Sequence, residues 1–453
     1  MKKLSIYETA KAVGANINFD GVISDISTDT RTMKEGNLFV ALEGENFDGH
    51  TFIRQAIDMG AAAVLSHKDL YIPRVIRVQD TRKALLRLAT YYRSLFNIPV
   101  VGITGSVGKT TVKELTHAIL SQKYQTHKNE GNLNNEIGMS QSIFKLEEHH
   151  QAAVFEMGMS DLGEISELSK AAKPTLGIIN NVGISHIQNL GSRENILKAK
   201  LEILNGMGND SPLILNGDNY YLYNAKIREN PTFYFGIDNK FCRFKAYDIE
   251  ENESGSRFIL DYGCGEQKIF MPAIGKHNIY NVLSAFAAGY LLGVEPDAAA
   301  EAIAQYEPSG MRQRVRKEKN IVFIEDCYNA NPDSLRAAIS TLVQFKAKRR
   351  IAVIGDMLEL GELSNQAHAD AGLYAANAGV DVLFTYGEKA KIAAKTAKSG
   401  GVKTLHSFDD KEELAKELAS LLCEGDAVVF KASRSMKLEE VIKSVYKELG
   451  IGE

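Results

Sequence analysis

From Pro99 the chain runs Pro99-Val100-Val101-Gly102-Ile103-Thr104, then Gly105-Ser106-Val107-Gly108, then Lys109-Thr110-Thr111. This order of segments constrains the fold more than any other feature. A short apolar run rich in β-branched residues reads as a strand buried on both faces, as in a parallel sheet. The glycines that follow permit backbone turns other residues resist. The spacing predicts a helix over Thr110–Leu120, opening directly after the turn. Its first amides have no partners within the helix and its dipole is positive there. A loop of this kind cradles phosphate oxygens. Lys109 neutralises the terminal phosphates, and the Thr110 hydroxyl suits Mg²⁺. Gly105, Ser106, Val107, Gly108, Lys109, Thr110 and Thr111 are therefore expected to bind a nucleoside triphosphate. Common loops of this type carry a glycine where this chain has Ile103; here the glycine is Gly102. The loop is a variant.

The chain has 453 residues, enough for two to four domains of roughly 100–200 residues each. Three regions are expected. Residues 1–82 carry short apolar runs, Leu38–Leu42 and Ala61–Leu65, punctuated by turn residues, and suggest a small N-terminal α/β domain. Residues 83–309 hold the loop. Further buried strands are expected at Ala152–Glu156 and Leu176–Asn180, antiparallel hairpins within 231–272, and a helix over Ile279–Leu292. Alternating strands and helices imply a parallel sheet covered on both faces. Residues 310–453 alternate again, with strands expected at Ile321–Ile324, Ile351–Ile354, Val382–Phe384 and Ala427–Phe430, as in a Rossmann-like doubly wound domain. The fold class is α/β, with three domains around a central P-loop-type sheet.

Composition narrows the function. With 44% hydrophobic and 24% charged residues, the chain resembles an ordinary globular protein. A net charge of −4 argues against a broad electrostatic grip on nucleic acid. Cys242, Cys264, Cys327 and Cys423 are far apart and form no C-x-x-C pair, so reduced thiols are expected rather than a zinc site or disulfide framework. Ile279–Val294 is too short and too polar to span a bilayer, and the N-terminus is no signal peptide. A cytoplasmic monomer without membrane or nucleic-acid partners is expected.

The segment Gly102–Thr111 closely resembles the ATP loop of the Mur ligases and the folylpolyglutamate synthases. Thr28-Asp29-Thr30-Arg31, Gly36–Leu42 and Asp48-Gly49-His50 resemble the nucleotide-sugar segment of the Mur ligases. Asn132-Leu133-Asn134-Asn135-Glu136-Ile137-Gly138 is similar to their polar loop after the first helix. Phe155-Glu156-Met157-Gly158 and Asn180-Asn181-Val182 resemble their metal and core motifs. Tyr328-Asn329-Ala330-Asn331-Pro332-Asp333-Ser334 and Gly355–Gly361 look like the branch that adds D-alanyl-D-alanine to UDP-N-acetylmuramoyl-tripeptide. The resemblance runs from about residue 28 to 436 and disfavours folate as substrate, through Thr28–Leu42 and Tyr328–Ser334. A regulatory P-loop switch is a third reading, against which stands the lack of an Asn-Lys-x-Asp motif.

What the resemblance implies can be set beside the residues themselves. It makes ATP and Mg²⁺ the cofactors, with Thr110, Glu156 and His186 as metal-site residues. A buried carboxylate such as Glu156 needs a partner, and a salt bridge is the competing account. Lys198 and Lys200 cannot share a helix face; the family pattern Ala-Lys-x-Glu selects Lys200, carbamylated into a metal-site anion, and a solvated lysine is the alternative. Lys109, Lys200 and His186 are the implied catalytic residues. Asn278 and Asn281 are assigned to adenine, with helix capping as the alternative for Asn278. Arg312 or Arg314 reaches the phosphates, the resemblance favouring Arg312, and Asp326 sits near them. Thr30, Arg31, His50, Asn132, Asn134, Asn135, Tyr328, Asn329 and Asn331 are assigned to substrate. A simple Asn-Pro turn is the competing account of Asn329 and Asn331. Cys327 reads as packing. Lys431 and Arg434 match a C-terminal family motif whose usual glycine is Ala432 here.

Lys109→Ala is expected to abolish ATP-dependent product formation while leaving the fold intact. Turnover measured beside circular dichroism checks this, and wild-type turnover would refute the loop assignment.

Overall fold

The computed structural model describes residues 1–452 apart from 71, 228 and 309. Residue 309, the expected end of the central region, thus lies outside the described residues, as does 453.

A nine-stranded sheet forms the centre. In spatial order its strands are Thr126–Lys128, Ala152–Glu156, Val100–Thr104, Leu176–Ile179, Leu213–Asn216, Thr232–Gly236, Phe244–Asn252, Gly255–Asp261 and Glu266–Met271. The first seven pair in parallel. The last three form an antiparallel meander, as their alternating pattern foretold. Thr232–Gly236, expected among the hairpins, instead extends the parallel part.

Alternate residues of each inner strand point to opposite faces. Val100, Ala153, Phe155, Ile179 and Leu215 join one core, packed by the helices Thr81–Ser94, Glu136–Phe144 and Glu164–Ala172. Val101, Ile103, Val154, Ile178 and Ile214 join the other, packed by Lys109–Leu120 and Lys276–Leu291. Burial on both faces explains why these strands are apolar throughout.

After Val100–Thr104 the chain turns to one side of the sheet; after Leu176–Ile179 it turns to the other. The crevice between their carboxyl ends is therefore a topological switch point, where open α/β sheets bind ligands.

Two smaller sheets flank this one. Asp25–Ser27, Asn37–Val40, Ala63–Ser66 and Val75–Arg77 form an all-parallel sheet. Its core continues into the central one, and helix Thr81–Ser94 runs across position 82. The third sheet has the order Arg314–Glu318, Ile321–Glu325, Asp426–Lys431, Arg349–Gly355, Val382–Tyr386, Thr404–Phe408, parallel except for its first pair. Its two edge strands were not evident in the sequence because they are half-exposed and lack an apolar run. Among the described residues no helix is long and apolar enough to cross a membrane. All four cysteines are free, and Cys327 is buried against Met311, as packing requires.

Gly102 lies inside the strand rather than in the loop. A Cβ there would come within 2.8 Å of Pro174 Cγ and 3.2 Å of Met157 Cε. The glycine lets the strand pass close beneath the turn at Pro174. Gly102→Val is expected to overpack this contact and destabilise the fold by about 1–3 kcal/mol, read as a lower denaturation midpoint.

Candidate active site

A cleft of about 1220 Å³ opens at the switch point, and its walls come from the central and C-terminal regions, from the phosphate loop to Lys431, with Arg82 at one edge. The loop shape is set by the residues that follow the neighbouring strand. Asn181 Oδ1 accepts the N–H groups of Ser106 and Val107, each at 2.9 Å. Its Nδ2 donates to the Val107 carbonyl at 2.9 Å, which also accepts from Asn180 Nδ2 at 3.1 Å. Gly108 takes φ +81°, and a Cβ there would meet Asn281 Oδ1 at 2.3 Å, so only glycine fits. The helix Lys109–Leu120 begins without a side-chain cap. Its first-turn amides are left for an anion.

Lys109 Nζ donates to the Gly105 carbonyl at 2.9 Å. Burial pulls its pKa below the usual lysine value, Glu156 opposes that shift, and Arg312 adds to it. Glu156 ends its strand 2% exposed. Its carboxylate accepts from Thr110 Oγ1 and from Asn134 Nδ2, both at 2.8 Å. Among the described residues no lysine or arginine forms a salt bridge with it, so the salt-bridge alternative does not hold. The Glu156 backbone is clamped by Asn129, which accepts from its N–H at 2.9 Å and donates to its carbonyl at 3.2 Å. Fully buried Lys113 in turn donates to the carbonyls of Asn129 and Gly131 at 2.8 and 3.1 Å. Lys113 and Asn129 were not singled out in the sequence, because a lysine inside a helix reads as solvated.

The remaining assignments separate clearly. Asn278 is no helix cap: it lies inside Lys276–Leu291 and donates to Ile274 O and Gln313 Oε1. Asn281 Oδ1 accepts from Asn180 Nδ2 at 2.9 Å. Arg312 lines the cleft with its guanidinium 3.8 Å from the Tyr328 ring centroid, whereas Arg314 is largely exposed beside Glu325. Asp326 pairs with buried Lys431 at 2.8 Å. Asn331 does cap the helix Pro332–Gln344, accepting from Ser334 N at 2.8 Å, but its Nδ2 reaches across to Ser185 Oγ at 2.7 Å. Asn132, Asn135, Tyr328 and Asn329 also line the cleft; Asn135 caps the helix Glu136–Phe144.

Lys200 is 1% exposed and Lys198 is exposed, which places only Lys200 in the interior. Burial, reinforced by Lys109, lowers the Lys200 pKa well below the usual lysine value. It stands behind the cleft rather than on its wall. His186 lines the cleft in a left-handed conformation at φ 62°, with Nδ1 2.7 Å from Glu359 Oε2. Thr30 and Arg31 lie in the turn after the strand Asp25–Ser27 and His50 in the 3-10 turn Gly49–Phe52, all outside the cleft lining. Arg31 is exposed and paired with Asp29, and His50 is buried beside Asp48. Arg82 and Arg193, overlooked in the sequence, do line it. Neither sits in a motif, so only the packed chain reveals them. Asp333 also enters the cleft: a Cβ on Gly183 would lie 2.4 Å from Asp333 Oδ2.

Comparison with known proteins agrees with this geometry. Three family models match in succession: the catalytic domain of the Mur ligase family at residues 22–93, the Mur ligase middle domain at 103–289, and the Mur ligase glutamate ligase domain at 311–434. A UDP-N-acetylmuramoyl-tripeptide–D-alanyl-D-alanine ligase of Bacillus subtilis is 39% identical over 97% of this chain and 97% of its own. The protein of that name from Escherichia coli is 35% identical, covering 95% of each. A crystal structure of MurF from Acinetobacter baumannii superposes with a TM-score of 0.92, at 30% identity and 99% coverage of both chains. The MurF ligase of Thermotoga maritima, solved with ADP, gives 0.86 at 29% identity, covering 94% of this chain and 98% of its own. With its phosphate loop, its cleft between the central and C-terminal regions and these relatives spanning nearly its full length, the chain belongs to the Mur ligase family.

Proposed function

We propose that this protein is an ATP-dependent amide ligase that joins D-alanyl-D-alanine to UDP-N-acetylmuramoyl-tripeptide, releasing ADP and phosphate. One observation carries the reading: the phosphate loop and the Glu156–Thr110 pair open into a cleft walled by the central and C-terminal regions, with Arg82 at its edge. That is the architecture needed to gather a nucleotide and two further substrates. The names of the full-length relatives supply the substrate class.

The chemistry follows from what a carboxylate lacks. Its oxygen leaves poorly, so it does not condense with an amine unaided. The tripeptide carboxylate attacks the γ-phosphorus of ATP, the bond to the bridging oxygen breaks, and ADP departs. The acyl phosphate is then attacked by the D-alanyl-D-alanine amine. A tetrahedral intermediate collapses, phosphate leaves with the former acyl oxygen, and the amine gives up a proton. Lys109 and the first-turn amides of its helix are placed to balance charge on the phosphoryl group in transit. Asn278 and Asn281 are assigned to the adenine end, and Arg312 and Asp326 to the phosphates. Asn132, Asn134, Asn135, Tyr328, Asn329 and Asn331 are assigned to the peptide end, Thr30, Arg31 and His50 to the nucleotide-sugar end. Closure of the cleft keeps water from the acyl phosphate.

The residues fit Mg²⁺. Glu156 is a buried carboxylate whose hydrogen-bond donors are neutral, and Thr110 adds a hydroxyl oxygen; hard oxygen donors of this kind suit that ion. Thr110 and Glu156 would hold it, His186 is assigned to the same ion, and it would supply neutralisation of phosphate charge. The Asn129–Lys113 clamp holds Glu156 in place for this role. Lys200 fits carbamylation, because a neutral amine is the form that adds CO₂, and burial favours the neutral amine. The amine nitrogen bonds to the carbon of CO₂ and releases a proton, leaving an anion.

Phosphate release is expected only when ATP, UDP-N-acetylmuramoyl-tripeptide and D-alanyl-D-alanine are all present. Release with folate and glutamate instead would assign the chain to the folylpolyglutamate branch. Tight nucleotide binding with no substrate-stimulated turnover would favour a regulatory switch. Depleting CO₂ and bicarbonate is expected to lower the rate, and their return to restore it; an unchanged rate would remove the carbamate from the mechanism.

A further inference from the structure

The ligase reading gives no part to Glu43 or His67, which cluster with His50, a residue it assigns to substrate. Glu43 lies in the hairpin made by Glu43–Gly44 and Phe47–Asp48, His50 in the turn after it, and His67 just past the strand Ala63–Ser66. One ligand atom from each lies within 4.8 Å of the other two. None of the three lines the cleft.

The His50 ring is buried, with Nδ1 2.7 Å from Asp48 Oδ1. Asp48 is itself held by Lys68 Nζ at 2.5 Å. An ionised carboxylate only accepts hydrogen bonds, so Nδ1 carries the proton and Nε2 keeps a lone pair. That Nε2 is buried and has no hydrogen-bond partner. A buried acceptor left unpaired is costly. His67 Nε2 and Glu43 Oε2 stand 3.3 Å apart. Ligands about 2.0–2.1 Å from a tetrahedral zinc ion stand about 3.4 Å from one another.

We infer that Glu43, His50 and His67 form a zinc site on the N-terminal domain, separate from the ATP cleft, with a fourth position open to water or an anion. Two imidazoles and a carboxylate suit zinc rather than magnesium or calcium. Asp48 behind His50 makes the carboxylate–histidine arrangement that orients a metal-bound ring. The ion ties the hairpin to the end of the adjoining strand. The Glu43 carbonyl also accepts from Arg82 at 2.9 Å, and Arg82 lines the cleft, so the zinc site and the cleft share a support.

Calorimetric titration of the full-length protein with Zn²⁺, after chelator treatment and without nucleotide, tests this. One ion per chain is expected. His67→Ala and Glu43→Gln, both at accessible positions, should each weaken binding at least about tenfold, and Asp48→Asn about 10–100-fold. Circular dichroism confirms that each variant is folded. The adjacent rings of His149 and His150, with centroids 4.1 Å apart, are the rival surface site. The double variant His149→Ala/His150→Ala should bind zinc as wild type does. Failure of the wild type to bind, wild-type affinity in His67→Ala, or a loss confined to the His149/His150 variant would each overturn the assignment.

Discussion

The site depends on the grip of Asn181 and Asn180 on the phosphate loop. A loop that buries its amides must find them acceptors, since each one left unpaired costs about 1–3 kcal/mol. Asn181 meets two of these amides with a single oxygen and ties down the Val107 carbonyl with its nitrogen. Asn180 holds the same carbonyl and reaches on to Asn281 in the helix Lys276–Leu291. These contacts exist because Leu176–Ile179 lies beside Val100–Thr104 in register. The strand order of the central sheet is thus converted directly into the shape of the loop, and the loop leaves its remaining amides to the cleft.

Charge is organised around that loop rather than spread over the molecule. Lys109, Arg312 and Lys431 converge on the cleft, with Arg82 and Arg193 at other parts of its wall. Glu156, Asp326 and Asp333 lie among them. A protein of net charge −4 can hold a polyanion this way, because local field in a low-dielectric cleft matters more than overall balance. Glu156 is the exception that gives the arrangement meaning. It is buried with neutral donors while Asp326 is satisfied by Lys431. These two acidic groups of one cleft thus differ in their partners, Asp326 in an ion pair and Glu156 held by neutral donors.

Several contacts join the central and C-terminal regions across the cleft. Asn331 reaches Ser185, Glu359 meets His186, and Asp333 approaches Gly183. Further bonds join the same regions, from His277 and Asn278 to Gln313 and from Lys317 to Glu253.

Apolar runs such as Ala152–Glu156 announced their strands outright, because burial on both faces leaves no ambiguity of pattern. The loop Gly105–Thr110 announced its own function, since strand, glycines, lysine and helix start must be contiguous to work. Thr404–Phe408 and Arg314–Glu318 were silent, being half-exposed edge strands whose pairing comes from distant partners. Gly102 could be read as a departure from a motif, but only packing shows that it makes room for Pro174. The resemblance chose Lys200 over Lys198 and favoured Arg312 over Arg314, and burial and direction supply the physical reason. Sequence by itself determined the fold class and the phosphate loop, because both rest on local periodicity and adjacency. Tertiary structure decided which carboxylate is held by neutral donors, why Lys200 is interior and which arginines face the cleft, because those are properties of neighbours far apart in the chain.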